Sequence, residues 1–203
     1  MNNDRIREIN EYISVLPSSE EPLSADVYFI KGKSRFYIVD VGSNDAAFEA
    51  VRKIPEKRII LTHFHEDHTD NIRRLDIPEE DLLVGNYTRK YIGRGTEVDQ
   101  RTMIDDGVKI TVVPIPNSHA KGSLCVTVND EYLMLGDAFY SNVKGYNVSL
   151  LSEEIKLLKG LDFRYVLMSH KDKPHEKNEI ISILEKVFQS RKKDNPYIPV
   201  GAE

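Results

Sequence analysis

Three of the six histidines in this 203-residue chain lie within one six-residue stretch, His63-Phe64-His65-Glu66-Asp67-His68. In an extended segment residues two apart point the same way, so His63 and His65 can grip one ion. Asp67 and His68 fall where the chain turns into a helix and can face a second ion beside the first. Zinc takes about four ligands, typically imidazole nitrogen and carboxylate oxygen where hydrolysis is the task. The cluster therefore supplies part of each of two sites, and further ligands must come from elsewhere. His119, Asp137 and His170 are candidates, each following an apolar run within a few positions. Cys125 is the only cysteine, which excludes a disulfide framework and a cysteine-based metal cluster. No Ser-His-Asp or Cys-His arrangement is visible.

The elements that must position these residues follow from hydrophobic period. Residues 26–30 and 35–41 read as a hairpin, with Gly32 supplying a positive-φ turn residue. Gly42, Ser43 and Asn44 break the strand and cap a helix over about 45–54, where Ala47, Ala50, Val51 and Ile54 share a face. A short buried strand at 57–61 leads into the histidine cluster, and a helix starts at Asp67 and runs to Leu75. Further strands are expected at 82–84, 109–113, 124–128 and 132–135, with Asn129-Asp130 as a two-residue hairpin turn. A helix over about 152–159 takes Ser152 as its cap and Gly160 as its stop, and 165–168 is another buried strand. The last helix, about 176–190, carries the stripe Ile180, Ile181, Leu184, Val187 and Phe188. Residues 1–8 and 192–203 read as loose ends of a single domain. Two hairpin-rich strand groups, each with helices, make an α/β sandwich of two stacked sheets with helices outside.

The order of these residues resembles the metallo-β-lactamase-fold hydrolase superfamily. Its signature is His-x-His-x-Asp-His, then a lone His, a lone Asp and a final His, each after a strand. Here it reads His63, His65, Asp67, His68, His119, Asp137 and His170, over roughly residues 25–190. Val39-Asp40-Val41-Gly42 resembles the family's early Asp-x-Gly turn, and His119-Ala120-Lys121-Gly122-Ser123 its His-x-x-Gly-Ser step. The resemblance implies a four-layer αββα sandwich with two mixed sheets. It implies two zinc ions, with iron or manganese as alternatives. His63, His65 and His119 would bind the first, Asp67, His68 and His170 the second, and Asp137 would bridge them. A hydroxide between the ions would attack a carbonyl or phosphoryl centre, with Asp67 orienting it and passing a proton to the leaving group. The chain departs from the family at Thr69-Asp70-Asn71, where many members have small residues. His65 stands where the oxygen-reducing di-iron branch has glutamate, which favours the hydrolytic branch. Fewer than 35 residues follow His170, so the helical glutathione-binding domain of glyoxalase II is expected to be missing.

Other residues get plainer readings. Asp40 is expected to accept backbone N–H bonds beside the site, Asp70 to cap or face solvent, and His175 to be an ordinary surface histidine. Cys125 reads as a packed small hydrophobe. Tyr140 and Tyr146 are candidates for lining a pocket, and Lys121 and Lys171 for attracting an anionic substrate. The net charge of −5, from 28 basic against 33 acidic residues, argues against a nucleic-acid partner, although Arg89, Lys90 and Arg94 sit close together. No run approaches the ~18 apolar residues of a membrane span, and the first residues lack a signal-peptide core, so a cytoplasmic location is expected. The reading is a dinuclear zinc hydrolase acting on a small ester, thioester or lactone. A phosphodiesterase or nuclease of the same fold, and a non-catalytic metal-binding module, are its alternatives.

Overall fold

A computed structural model describes residues 6–115, 119–139, 141 and 144–199. Among these residues the chain builds two large mixed sheets. The first has seven strands whose order across the sheet follows the sequence: Arg7–Glu8, Ile13–Leu16, Val27–Lys31, Phe36–Val39, Lys57–Ile60, Leu82–Val84 and Thr96–Glu97. Its first pairings are antiparallel; from Phe36–Val39 onward they are parallel, with Val39 beside Ile60 and Ile60 beside Leu83. The second has six strands in the order Thr102–Asp105, Lys109–Ile115, Ser123–Val128, Tyr132–Met134, Tyr165–Leu167 and His175–Glu176. Only the pairing of Tyr132–Met134 with Tyr165–Leu167 is parallel in it. Parallel neighbours need a crossover, and the crossovers deliver helices to the outer faces.

Three apolar clusters fill the three interfaces of the resulting four layers. Val39, Ile60, Val112, Leu124, Val126 and Met134 lie in the cluster between the sheets. Ala47 and Val51 of α1 (Asp45–Arg52) join Ile38, Ile59 and Leu61 outside the first sheet. Leu151, Ile155 and Leu158 of α4 (Val148–Gly160) join Ile180 and Leu184 of α5 (Lys177–Gln189) outside the second. Alternation explains the division: Ile38 and Val39, or Leu124 and Cys125, point to opposite faces and both are buried. Cys125 is fully buried, as expected, and burial pushes its thiol up to about 12. No helix is long and apolar enough to cross a membrane among the described residues.

Several local expectations are corrected. Gly32 is not among the positive-φ residues. Its place is steric, because a Cβ there would stand 2.3 Å from Asp106 Oδ2 and 2.8 Å from the Arg35 carbonyl oxygen. The helix after the histidine cluster is a single turn, α2 (Glu66–Thr69), continued as a 3-10 turn over Asp70–Arg73. Helix α4 begins four residues before Ser152: Asn147 caps it by accepting from the Ser149 and Leu150 N–H groups. Within the segments expected to be loose, Arg7–Glu8 pairs with Ser14–Val15 and Tyr197–Ile198 with Tyr146–Asn147, while residues 1–5 and 200–203 lie outside the described residues. The Asn129-Asp130 turn is as expected, both residues having positive φ near 50° (52° and 54°).

Candidate metal centre

All seven signature residues meet at one end of the sandwich, where strands of both sheets terminate. His63, His65, His119 and Asp137 form one group and Asp67, His68, Asp137 and His170 a second, with the donor atoms of each within 4.8 Å of one another. His65 Nδ1 stands 3.0 Å from His63 Nε2 and 3.2 Å from His119 Nε2. His170 Nε2 is 3.1 Å from Asp67 Oδ2, and His68 Nε2 lies 3.5 Å from Asp67 Oδ2. Asp137 belongs to both groups, its Oδ1 being 3.4 Å from His68 Nε2 and its Oδ2 4.0 Å from His63 Nε2. Tetrahedral bonds of about 2.0–2.1 Å space neighbouring ligand atoms by roughly 3.3 Å. The observed spacings fall around that value. His68 Nε2 and Asp137 Oδ1 are buried without a hydrogen-bond partner. Two orphaned donors facing each other across such a gap fit a cation between them, since burying them unpaired is costly.

The scaffold behind the donors is hydrogen-bonded in detail. Asp40, left-handed at φ 60° and 3% exposed in its side chain, accepts from the Thr62 N–H and the Thr62 hydroxyl, both at 2.7 Å. Its Oδ2 also lies 2.7 Å from His68 Nδ1, which fixes that ring with Nε2 toward Asp137. Thr62 Oγ1 in turn lies 3.1 Å from His63 Nδ1. One carboxylate thus orients a ring in each group, directly or through Thr62. Gly136 has φ 55°, and a Cβ there would come 2.6 Å from Thr62 Oγ1, so only glycine lets Asp137 follow so closely. On the far side Asp26 accepts from the His170 N–H at 2.7 Å, holding that residue in its own left-handed conformation, φ 60°. Sequence reasoning found Asp40, with side-chain partners added to the expected backbone N–H; it missed Asp26, Thr62 and Gly136.

Electrostatics separate the two groups. Burial pulls His63 well below the usual imidazole range, and neighbouring rings pull it further; burial and His119 lower His65. Burial also acts to lower His68, but Asp40 and Asp137 outweigh it and raise the ring to about 10. The hydrogen bond to Asp67 raises His170; in Asp67 burial acts upward, but His170 and His68 prevail and lower the carboxyl. The carboxylate-rich group therefore attracts positive charge, and a cation there would take the place of protons.

The remaining expectations sort by place. Tyr146 and Lys171 line a small recess of about 180 Å³ that also touches Asp137. Lys121 is exposed, and Tyr140 lies outside the described residues. His175 sits apart from the centre, 3.7 Å from Glu179. Asp70 pairs with Arg73 on the surface. An aromatic group unforeseen from sequence flanks the first set: Phe64 packs 4.8 Å from His65 and 5.2–5.3 Å from Tyr91 and Tyr87 of α3 (Asn86–Ile92).

Two stacked mixed sheets, outer helices and a donor cluster at the strand ends define a metallo-β-lactamase-fold protein, and comparison with solved structures agrees. A metallo-β-lactamase from Pontibacter korlensis superposes with a TM-score of 0.68 at 16% identity, over 89% of this chain and 98% of that one. An archaeal metallo-β-lactamase superfamily protein from Sulfolobus tokodaii gives 0.64 at 19%, over 95% and 92%. A flavo-diiron protein mutant from Thermotoga maritima gives 0.68 at 13%, over 93% and 63%. No protein-family profile matches the chain. Among curated proteins it is similar to hydroxyacylglutathione hydrolases of Shewanella halifaxensis (26% identical over 122 residues) and Glaesserella parasuis (27% over 118). The alignments take in 57% of this chain and 46% and 50% of those proteins, so the chain spans about half the length of the curated relatives it matches.

Proposed function

We propose that this protein is a metal-dependent hydrolase of a small ester, thioester or lactone, working with two ions, zinc before iron or manganese. The observation that carries this is the pair of donor groups sharing Asp137, with His68 Nε2 and Asp137 Oδ1 buried and otherwise unpaired. His63, His65 and His119 would hold one ion and Asp67, His68 and His170 the other, Asp137 serving both. Ions so held supply Lewis acidity and bring the pKa of a water ligand toward neutrality. The protein's own part is placement. Asp40 and Thr62 hold the rings in their binding orientation, and Asp26 fixes the backbone of His170. The Asp67 carboxylate is half-buried and kept ionised by His170, so it can orient an attacking water and carry its proton to the leaving group. Similarity to hydroxyacylglutathione hydrolases supports a thioester within the substrate range.

The test begins with metal analysis of protein purified without added metal or chelator. About two transition-metal ions per chain, with turnover of a thioester or ester panel, is expected. Asp137→Ala should lose both metal and turnover while keeping the far-ultraviolet dichroism of the sheets. Failure to take up zinc on titration would overturn the assignment. Faster turnover of a phosphodiester than of any ester would move it to the phosphodiesterase reading.

A further inference from the structure

Beside the edge strand Arg7–Glu8 the two sheets part and leave a cavity of about 430 Å³, more than twice the recess of about 180 Å³ beside Asp137. None of the seven metal-centre donors lines it. Tyr28 closes it from the first sheet. Tyr132 and Tyr165 close it from the second, where they are paired in register with ring centroids 5.4 Å apart. Ile9, Val15 and Leu167 add apolar surface. Tyr28 is 5% exposed, yet its hydroxyl bonds to no described residue. That oxygen is not among the fully enclosed unpaired atoms either, so it opens into the cavity. A buried hydroxyl without a partner is costly, and a ligand that supplies one recovers that cost.

The sign of the potential at that oxygen decides the kind of ligand. Burial raises the Tyr28 hydroxyl well above its ordinary value; Asp26 and Asp40 raise it further, and each outweighs the opposing pull of Arg7. Asp26 also lines the cavity, 3% exposed and two residues before Tyr28, on the same side of the extended chain. Its carboxylate accepts from the Ser18 and His170 N–H groups and the Ser169 hydroxyl, but forms no ion pair with a described side chain. Around the cavity Glu8, Glu131 and Asp172 match Arg7, Lys171 and Lys173 one for one, so Asp26 is the uncompensated charge. A protonated amine answers these features together: it neutralises Asp26, donates to the Tyr28 oxygen and is attracted by aromatic faces. The Tyr165 ring already carries one cation, the Arg164 guanidinium at 4.9 Å from its centroid.

We propose that this cavity is a second binding site, for a primary ammonium ion with a short apolar body, with Tyr28 and Asp26 as its polar contacts and the three tyrosine rings as its walls. The site does not depend on the hydrolase reading. Asp26 Oδ2 also holds the His170 N–H, so the cavity and the metal centre share one carboxylate.

The experiment titrates the protein, as purified and at neutral pH, with 2-phenylethylammonium and with the neutral 2-phenylethanol of the same shape. Magnetic resonance of carbon-labelled tyrosine rings, assigned by single Tyr→Phe variants, follows the binding. Shifts are expected at Tyr28, Tyr132 and Tyr165, while the exposed Tyr87 and Tyr91 stay still. The amine should bind about tenfold tighter than the alcohol, the worth of roughly one hydrogen bond to a charged group. Tyr28→Phe should weaken the amine by about fivefold or more and leave the melting temperature unchanged, because that hydroxyl has no partner in the protein to lose. Asp26→Asn should bring the amine down to the affinity of the alcohol. Equal binding of amine and alcohol, or amine binding that Tyr28→Phe leaves intact, would overturn the proposal. Shifts confined to Tyr87 and Tyr91, or the absence of saturable binding, would do the same. Should Asp26→Asn fail to fold, Tyr28→Phe and the ratio of amine to alcohol still decide the matter.

Discussion

Asp40 receives three hydrogen bonds, from the Thr62 N–H, the Thr62 hydroxyl and His68 Nδ1, and none of its partners can be turned toward water. Asparagine at this place would aim an NH₂ at one of these donors and leave it without an acceptor. Asp40→Asn should therefore weaken zinc binding by about 10–100-fold, the range found for the partners of metal-binding histidines. Competition against a chromophoric chelator reads this, and an unchanged affinity would show that Asp40 is only a turn residue. The seven donors were legible in sequence because their side-chain types are competent for metal wherever they stand, and their order supplied the rest. Asp26, Thr62 and Gly136 were not legible. Each is an ordinary residue near a strand end, and its task exists only once the strands Val27–Lys31, Lys57–Ile60 and Tyr132–Met134 bring it beside a ligand.

Elements with strong apolar period were readable, and those defined by contact were not. Helix α1 was found from its stripe and its Asn44 cap, whereas the start of α4 was placed at Ser152 because Val148–Leu151 looks like strand or helix alike. The longer helix turns Glu154 inward, 5% exposed, and burial alone raises its carboxyl to about 8 from 4.5. The folded chain then binds a proton that the unfolded chain releases between these values, so stability falls as pH rises from about 4.5 through 8. Glu154→Gln should be near neutral at pH 4.5 and gain roughly 3–5 kcal/mol at pH 9, read by urea unfolding at both pH values. An equal gain at the two would refute a titrating group. Helix α3 escaped prediction because tyrosines, not an apolar stripe, mark it. A Cβ on Gly85, at its N-terminal cap, would come 1.9 Å from the Gly122 carbonyl oxygen, on the turn that carries His119. Gly85→Ala should cost about 1–3 kcal/mol or more by overpacking, and should weaken the first donor group more than the second. Cobalt substitution would report this, as altered visible absorption at one site only.

At the scale of the whole molecule, the centre joins two halves that also meet through side-chain packing and through hydrogen bonds such as Leu124 N–H to the Thr62 carbonyl, Ser34 N–H to Asp106 and His170 N–H to Asp26. His63, His65, Asp67 and His68 belong to the first sheet's connections, and His119, Asp137 and His170 to the second's. Each donor group draws on both, so an ion in either place would staple the sheets at that end. Three apolar clusters remain complete without it, and the opposing charges within the donor groups offset part of their own repulsion. The chain should therefore stay folded when stripped by a chelator, with its dichroism retained, and melt lower. Ligand linkage gives the size: zinc at about a thousandfold over its dissociation constant adds roughly 4 kcal/mol per site. For a chain of about 200 residues, 1 kcal/mol moves the melting temperature by about 2–4 °C, so one such site raises it by roughly 8–16 °C. The Asp137→Ala variant should melt without that dependence on zinc. A wild-type protein whose melting ignores zinc while zinc is bound would mean that the unfolded chain holds the ion as tightly, through the local donors His63, His65 and His68, and that the assembled centre adds nothing to stability.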